Sequence, residues 1–442
     1  MMHTMLRFAA TVVALVVTIA PAHALLPIQT WTLDNGARVL FVENRALPMI
    51  DVSIDFPAGY GRDTRERSGL ASMTLSLMRL GAGGLGEAEV SGALADVGAQ
   101  LGSRFDADRA GYSVRTLSSS AEREPAIDIL ARVVRQPLFS ADVLGRETRR
   151  LVAGLQDAAT KPESIADRAL SLAVFGDHPY GLRGSGEVDT ITTLTAEDLV
   201  AFHRRWYRSD YSVIAIIGDL SRDAADSIAR RLTAGLPRGA DAPPPLAAVK
   251  PLDAPVVRRI AHPASQSHIL LGAPGMKRDD PDYFPLFVGN YVLGGGGFVS
   301  RIVEEVRQKR GLAYSSYSYF VPMSERGQFQ VGLQTRREQA DEALEVTRAT
   351  LKRFVAEGPT DDELVAAKQN LVGGFPLRID SNRKIHDYLA TIGFYRLPID
   401  YLDQFVDRIE SVTVAQIKDA FQRRVDPDRM VTVVVAGGAR EQ

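Results

Sequence analysis

Apolar residues at alternate positions open the part of the chain that reads as structured. Positions 30–33 and 39–42 alternate around Asp34-Asn35-Gly36, a strong signal for a tight hairpin turn, and 49–56 continues the alternation as a third strand. The period then lengthens. Helices are predicted at 69–80 and 87–97, strands at 99–105 and 111–116, and further helices at 122–134, 141–159, 165–175 and 196–207. Strands paired locally, with helices grouped after them, predict an α+β fold with a largely antiparallel sheet rather than a doubly wound one.

The pattern occurs twice. Residues 191–219 match 409–437 without a gap at a constant offset of 218. In both copies a threonine (Thr195, Thr413) stands where a helix N-cap belongs, ahead of helices predicted at 196–207 and 415–424. A turn at Asp210 or Asp428 follows, then a buried β run at 213–217 or 431–435. A weaker match pairs Leu80-Gly-Ala-Gly-Gly with Leu293-Gly-Gly-Gly-Gly, each ending an apolar helix. Repeats of this size are domain duplications, not solenoid units. The expected organisation is therefore a domain at 25–236, a Pro/Ala-rich bridge at 237–255 stiffened by Pro243-Pro244-Pro245, and a second domain at 256–442.

The first 24 residues are read separately. Arg7, an apolar run at 8–20, Pro21, and small residues at Ala22 and Ala24 make a secretory signal cleaved after Ala24, so a periplasmic location is expected. The run is too short to span a bilayer comfortably, and no membrane span is expected in the mature chain. A net charge of −2 gives no reason to expect nucleic acid as a partner. The absence of cysteine removes every thiolate from the possible metal ligands and nucleophiles. Five histidines follow the signal (His178, His203, His262, His268 and His386), and no two are spaced for a helical ligand pair. His178 reads as a loop-bonding residue. His262 and His268 share a parity near a strand start, as a weak ligand pair or simply an exposed edge.

In the second half, 300–310 predicts a helix ending in Lys309-Arg310, which suits the negative end of the helix dipole. Gly311 supplies a left-handed cap, and Tyr314 opens a strand at 313–320. Arg307 and Tyr314 thus flank a rigid corner and can point at one spot. Gly294, Gly295, Gly296 and Gly297, followed by Phe298, fit no phosphate-loop pattern and read as a helix stop. Strands at 99–105 and 328–334 are candidate sheet edges for an added peptide strand.

Phe56-Pro-Ala-Gly59, Ser68-Gly-Leu-Ala71, Gly176-Asp-His-Pro-Tyr-Gly181 and Lys309-Arg-Gly-Leu-Ala-Tyr-Ser315, in this order, resemble the pitrilysin/insulinase family of peptidases over roughly residues 26–438. The resemblance implies two homologous α+β domains, each an antiparallel sheet covered by helices, facing one another as a clamshell. Members that cleave peptides carry His-x-x-Glu-His on the first helix, with a further Glu ligand on a later one. Here Ser72 and Ser76 stand at the histidine positions, Leu75 at that of the catalytic Glu, and Gly154 at that of the ligand Glu, while Glu147 matches a second family glutamate. A serine hydroxyl is a poor zinc ligand and leucine is no base, so no cofactor is expected on this chain. The resemblance further implies that Arg307 and Tyr314 match the family's substrate-gripping, oxyanion-binding pair, with Arg310 as the competing arginine, and that residues 294–298 match a loop that helps hold substrate. It implies a non-catalytic subunit working with a homologous, zinc-bearing partner on extended peptides. The alternative is a structural or peptide-holding module of the same fold.

Overall fold

A computed structural model describes residues 26–239 and 241–436, so the expected signal at 1–24 lies outside the described residues. The first half contains β1 (Gln29–Thr32), β2 (Arg38–Glu43), β3 (Met49–Phe56), α1 (Leu70–Met78), α2 (Glu87–Asp96), β4 (Gln100–Phe105) and β5 (Ala110–Leu117). It continues through α3 (Ser120–Arg135), α4 (Ala141–Ala158), α5 (Pro162–Phe175), α6 (Ala196–Trp206), β6 (Val213–Gly218) and α7 (Arg222–Thr233). The second half contains β7 (Val256–Ala261), β8 (Gln266–Pro274), α8 (Tyr283–Asn290) and α9 (Arg301–Val303), which runs on as a π-helical turn, Glu304–Gln308. Then come β9 (Ala313–Phe320), β10 (Gln328–Arg336), α10 (Ala340–Glu357), α11 (Asp361–Gly373), α12 (Asn382–Phe394), α13 (Phe405–Glu410), α14 (Val414–Arg424) and β11 (Val431–Ala436).

The two sheets share one topology. The first runs β1-β2-β6-β3-β5-β4 and the second β9-β10-β8-β11-β7, so β2, β6, β3, β5 and β4 correspond to β7, β11, β8, β10 and β9. In each sheet a single pair is parallel, β2 with β6 and β7 with β11, and every other pair is antiparallel. The offset of 218 holds to the residue: α6 and α14, like β6 and β11, begin and end at equivalent positions. Thr195 and Thr413 both form capping boxes, with Asp198 and Gln416, from nearly identical extended backbone conformations.

Alternation decides which face of each strand meets the helices. Ile50, Val52, Ile54 and Phe56 of β3 join α3, α6 and α7 in the first core, and Ile269, Leu271, Phe329, Val331 and Leu333 join α10 and α14 in the second. The opposite, inner faces are covered by exchange. Helix α5 of the first half lays Ala166, Leu170 and Val174 on Leu270, Val431, Val433 and Val435 of the second sheet. Helix α12 of the second half lays Ile385, Leu389 and Ala390 on Val42, Ala215 and Ile217 of the first.

Two expectations change. Strand 328–334 is interior, paired on both sides, because β9 lies outside it; the free edges at equivalent ends of the two sheets are β4 and β9. The Pro/Ala-rich bridge has no helix or strand among its described residues, yet it is strapped down rather than standing free. Arg62 Nη1 donates to the Pro244 carbonyl at 2.7 Å, His178 Nε2 meets the Ala247 carbonyl at 2.8 Å, and Val249 is buried.

Candidate functional site

Helix α1 begins where Asp63 accepts the backbone N–H groups of Gly69 (2.8 Å) and Ala71 (2.9 Å), filling the role of a cap at a buried helix end. Burial pushes the Asp63 carboxyl up to about 7, against the pull of those two donors. Gly69 has φ +93°, and a Cβ there would lie 2.4 Å from Ile191, so only glycine fits the turn. The helix then presents Ser72 half-buried, Leu75 buried in the first core and Ser76 exposed. The Leu75 carbonyl accepts the Tyr112 hydroxyl. Gly154 is exposed on α4, with open space where a side chain would begin, and lines a cleft with Leu151, Ala158, Asp167 and Ser171. Glu147 is buried between Arg146 (2.9 Å) and Arg150 (2.8 Å), in structural ion pairs. Two hydroxyls, an isobutyl group and a hydrogen are the side chains at these four positions. That donor set does not fit zinc.

The corner in the second half is differently equipped. The helix carrying Arg307 widens into its π turn and stops at Gly311, φ +61°, whose N–H donates to the Arg307 carbonyl while Leu312 N–H donates to that of Val306, both at 2.9 Å. The chain then enters β9 with a bulge. Ala313 faces Thr335 and Ser315 faces Gln334, so Tyr314 is the extra residue, turned out of the ladder. Its side chain is 82% exposed. The Arg307 guanidinium lies 4.9 Å from the Tyr314 ring centre and 4.7 Å from that of Phe298. Gln308 Nε2 donates to the Phe298 carbonyl at 2.7 Å, tying the glycine-rich loop to the same helix. The Arg307 side chain forms no ion pair or hydrogen bond among the described residues, so its guanidinium N–H groups are available. Arg310 is committed: its Nη1 donates to the Glu305 carboxylate (2.6 Å) and carbonyl (2.8 Å). Glu305 also takes Lys309 and Arg353, and the Arg310 hydrogen bond leads in holding its carboxyl down at about 2.

The four glycines do different jobs. A Cβ at Gly294, Gly295 or Gly296 would lie 2.4, 2.7 or 2.7 Å from Ser318, Asn290 or Tyr291, so close packing demands these three. Gly297 has open space and φ +62°, which frees Phe298 to turn back over Arg307. Phe298 was legible only as a residue after a glycine run; its place in the stack depends on that left-handed turn.

The histidines are mostly bonded to backbone. His178 Nδ1 accepts the Tyr180 N–H (3.1 Å), His203 Nε2 meets the Val134 carbonyl (2.9 Å), and His386 Nε2 meets that of Ala215 (3.2 Å). His262 accepts the Ala264 N–H and meets the Thr160 carbonyl. His268 is no exposed edge residue: it is nine-tenths buried on interior strand β8. Among the described residues, no group of three or more His, Asp or Glu is placed to hold a metal ion.

Residues 38–185 match the family described as insulinase (peptidase family M16), and 193–371 match the peptidase M16 inactive domain. A solved structure of a peptidase M16 inactive domain from Pseudomonas fluorescens is 37% identical, covers 94% of this chain and 99% of its own, and superposes with a TM-score of 0.90. An uncharacterized zinc protease of Streptomyces coelicolor is 25% identical over 90% of this chain and 87% of its own. The non-peptidase homolog YmxG of Helicobacter pylori is 24% identical over 91% and 93%.

Proposed function

We propose that this chain, which belongs to the insulinase (M16) family of peptidases and is a non-catalytic member of it, serves as the substrate-gripping subunit of a two-chain zinc peptidase. Its partner would be a homologous chain carrying an intact His-x-x-Glu-His site, and the pair would act on extended peptides in the periplasm. The observation that carries this reading is the Phe298–Arg307–Tyr314 stack: an unpaired, pre-oriented guanidinium and an exposed phenol on a chain whose own metal positions are Ser72, Leu75, Ser76 and Gly154. Two aromatic neighbours restrict the guanidinium before anything binds, so less ordering entropy remains to be lost. Arg307 N–H groups and the Tyr314 hydroxyl can then donate to a peptide carbonyl oxygen as negative charge develops on it. The free edges of β4 and β9 offer unpaired backbone groups to an extended segment. No described helix is long and apolar enough to cross a membrane.

The test is reconstitution with a zinc-bearing homologous subunit. Tyr314→Phe removes one donor and is expected to lower kcat about 10²-fold, with zinc content and association unchanged. Arg307→Lys is expected to be similarly damaging, because an ammonium reproduces neither the planar fork nor the double stacking. Turnover within about twofold of wild type for both variants would leave the peptide-holding module as the better account.

A further inference from the structure

At one end of the second sheet, a cavity of about 480 Å³ lies between the end of the Pro/Ala-rich bridge, the last turn of α14 and the turn that joins β9 to β10. That volume is in the range of small-molecule sites. One wall is apolar, from Pro251 and Leu252 of the bridge and Pro274 at the end of β8. The other is made of arginines: Arg326, Arg423, Arg424 and Arg429. Asp426 is the one acidic residue among the described residues of the wall.

The carboxylates that hold these arginines mostly stand outside the cavity. Arg423 donates from Nη1 and Nη2 to Asp282 (2.7 and 2.8 Å) and from Nε and Nη2 to Asp419 (2.9 and 2.6 Å). Arg424 donates from Nε to Asp282 (2.9 Å) and from Nη2 to Asp280 (2.8 Å). None of Asp280, Asp282 and Asp419 lines the cavity. A guanidinium pinned in this way keeps its plane while its remaining N–H groups stay unspent. Arg424 Nη1 has no partner among the described residues, nor have the two Nη nitrogens of Arg429, whose Nε donates to Asp426 at 2.6 Å. The Arg326 side chain forms no ion pair or hydrogen bond at all among the described residues.

We propose that this cavity binds a phosphate monoester, with the phosphate oxygens on Arg326, Arg424 and Arg429 and the ester group against the apolar wall. A carboxylate has two oxygens and is matched by one guanidinium fork, which is how Asp282 is already held by Arg423. A phosphate offers three strong acceptor oxygens in a tetrahedral arrangement, so it can take N–H groups from several arginines at once. Pro251, Leu252 and Pro274 have nothing to offer a bare anion, but they suit a short carbon chain. The site is independent of the peptide-gripping function, and either can fail without the other.

The experiment is calorimetric titration of the purified chain, at low ionic strength, with inorganic phosphate, butyl phosphate and pentanoate. Butyl phosphate is expected to bind about tenfold tighter than inorganic phosphate, the scale of two buried methylene groups, and at least about tenfold tighter than pentanoate. Arg326→Gln removes a guanidinium that holds nothing else, so it should weaken butyl phosphate about tenfold while the thermal midpoint of the ligand-free chain stays unchanged. Arg429→Gln, on a different segment of the wall, should weaken it similarly. No binding of either phosphate, or binding indifferent to both substitutions, overturns the site. Pentanoate bound as tightly as butyl phosphate overturns the assignment to phosphate. Equal affinity for the two phosphates overturns the part given to the apolar wall and assigns the cavity to free phosphate.

Discussion

At the scale of single residues, the molecule separates side chains that hold the corner from side chains left free to act. Glu305 is a holder. Its carboxyl falls from an ordinary 4.5 to about 2, first through the Arg310 hydrogen bond and then through Lys309 and Arg353. A carboxyl whose pKa is depressed in the folded state contributes stability above its unfolded value and loses that contribution as the pH falls through the folded one. Glu305→Gln should therefore lower the thermal midpoint at pH 7, and the gap to wild type should close as the pH drops from about 4.5 towards 2. Melting curves across that window check it, and a gap constant with pH would show that Glu305 acts through packing. Leu75 stands where the family resemblance places the catalytic Glu. Its side chain is part of the core, so Leu75→Ala should cost about 2–5 kcal/mol in denaturant unfolding. The wild-type chain, with Ser72, Ser76 and Gly154 at the remaining positions, should bind no stoichiometric zinc. One tightly held equivalent, measured by metal analysis after dialysis, would sink the non-catalytic reading.

Elements were the most legible scale, because period and capping are local. The threonines before α6 and α14 announced helices that start within a residue of expectation, and both cap in the same way. Thr195→Ala and Thr413→Ala should each cost about 1 kcal/mol, and by similar amounts, since the two capping boxes have the same geometry. A difference of more than about 1 kcal/mol between them, by chemical denaturation, would mean that tertiary contacts outweigh the cap. Edge membership was legible only in part: the strand expected as an edge at 99–105 is the free edge β4, while the one at 328–334 is interior. Phe329, Val331 and Leu333 alternate as a half-buried strand would, but whether a strand is an edge depends on what pairs beyond it, and only the topology places β9 there. The corner was half legible. A seven-residue spacing across a glycine-capped helix end brought Arg307 to Tyr314, whereas the bulge that turns Tyr314 outward and the left-handed Gly297 that returns Phe298 are set by backbone registers with no periodic signature.

At the scale of the whole molecule, the exchange of α5 and α12 governs how the halves relate. Each sheet has its own helical layer on one face, yet part of its inner face is covered only by a helix from the other half. A first half alone would expose Val42, Ala215 and Ile217 of its sheet together with Leu170 and Val174 of α5, and the second half would expose the complementary set. Fully burying such side chains contributes roughly 1.5–3 kcal/mol each, so separation removes an amount comparable to the whole stability of a domain. The Pro/Ala-rich bridge contributes less by comparison: apart from a few hydrogen bonds to the first half, Val249 is its one buried apolar side chain among the described residues. Cutting the bridge should therefore leave the halves together: after proteolysis between 241 and 248 the two fragments should co-elute in size exclusion and unfold in one transition. Expressed separately, each half should aggregate or bind a hydrophobic dye, and co-expression should restore the soluble pair. The outcome that would overturn this is a lone half that is monomeric and unfolds cooperatively, for then the exchanged helices would be contacts between two self-sufficient domains. The substitution Leu389→Asp puts a charge on the exchanged face of α12, buried against Ala215 and Ile217. It should dissociate the nicked pair while leaving the uncut chain folded but less stable by several kcal/mol, because only the intact bridge then keeps the halves at high local concentration.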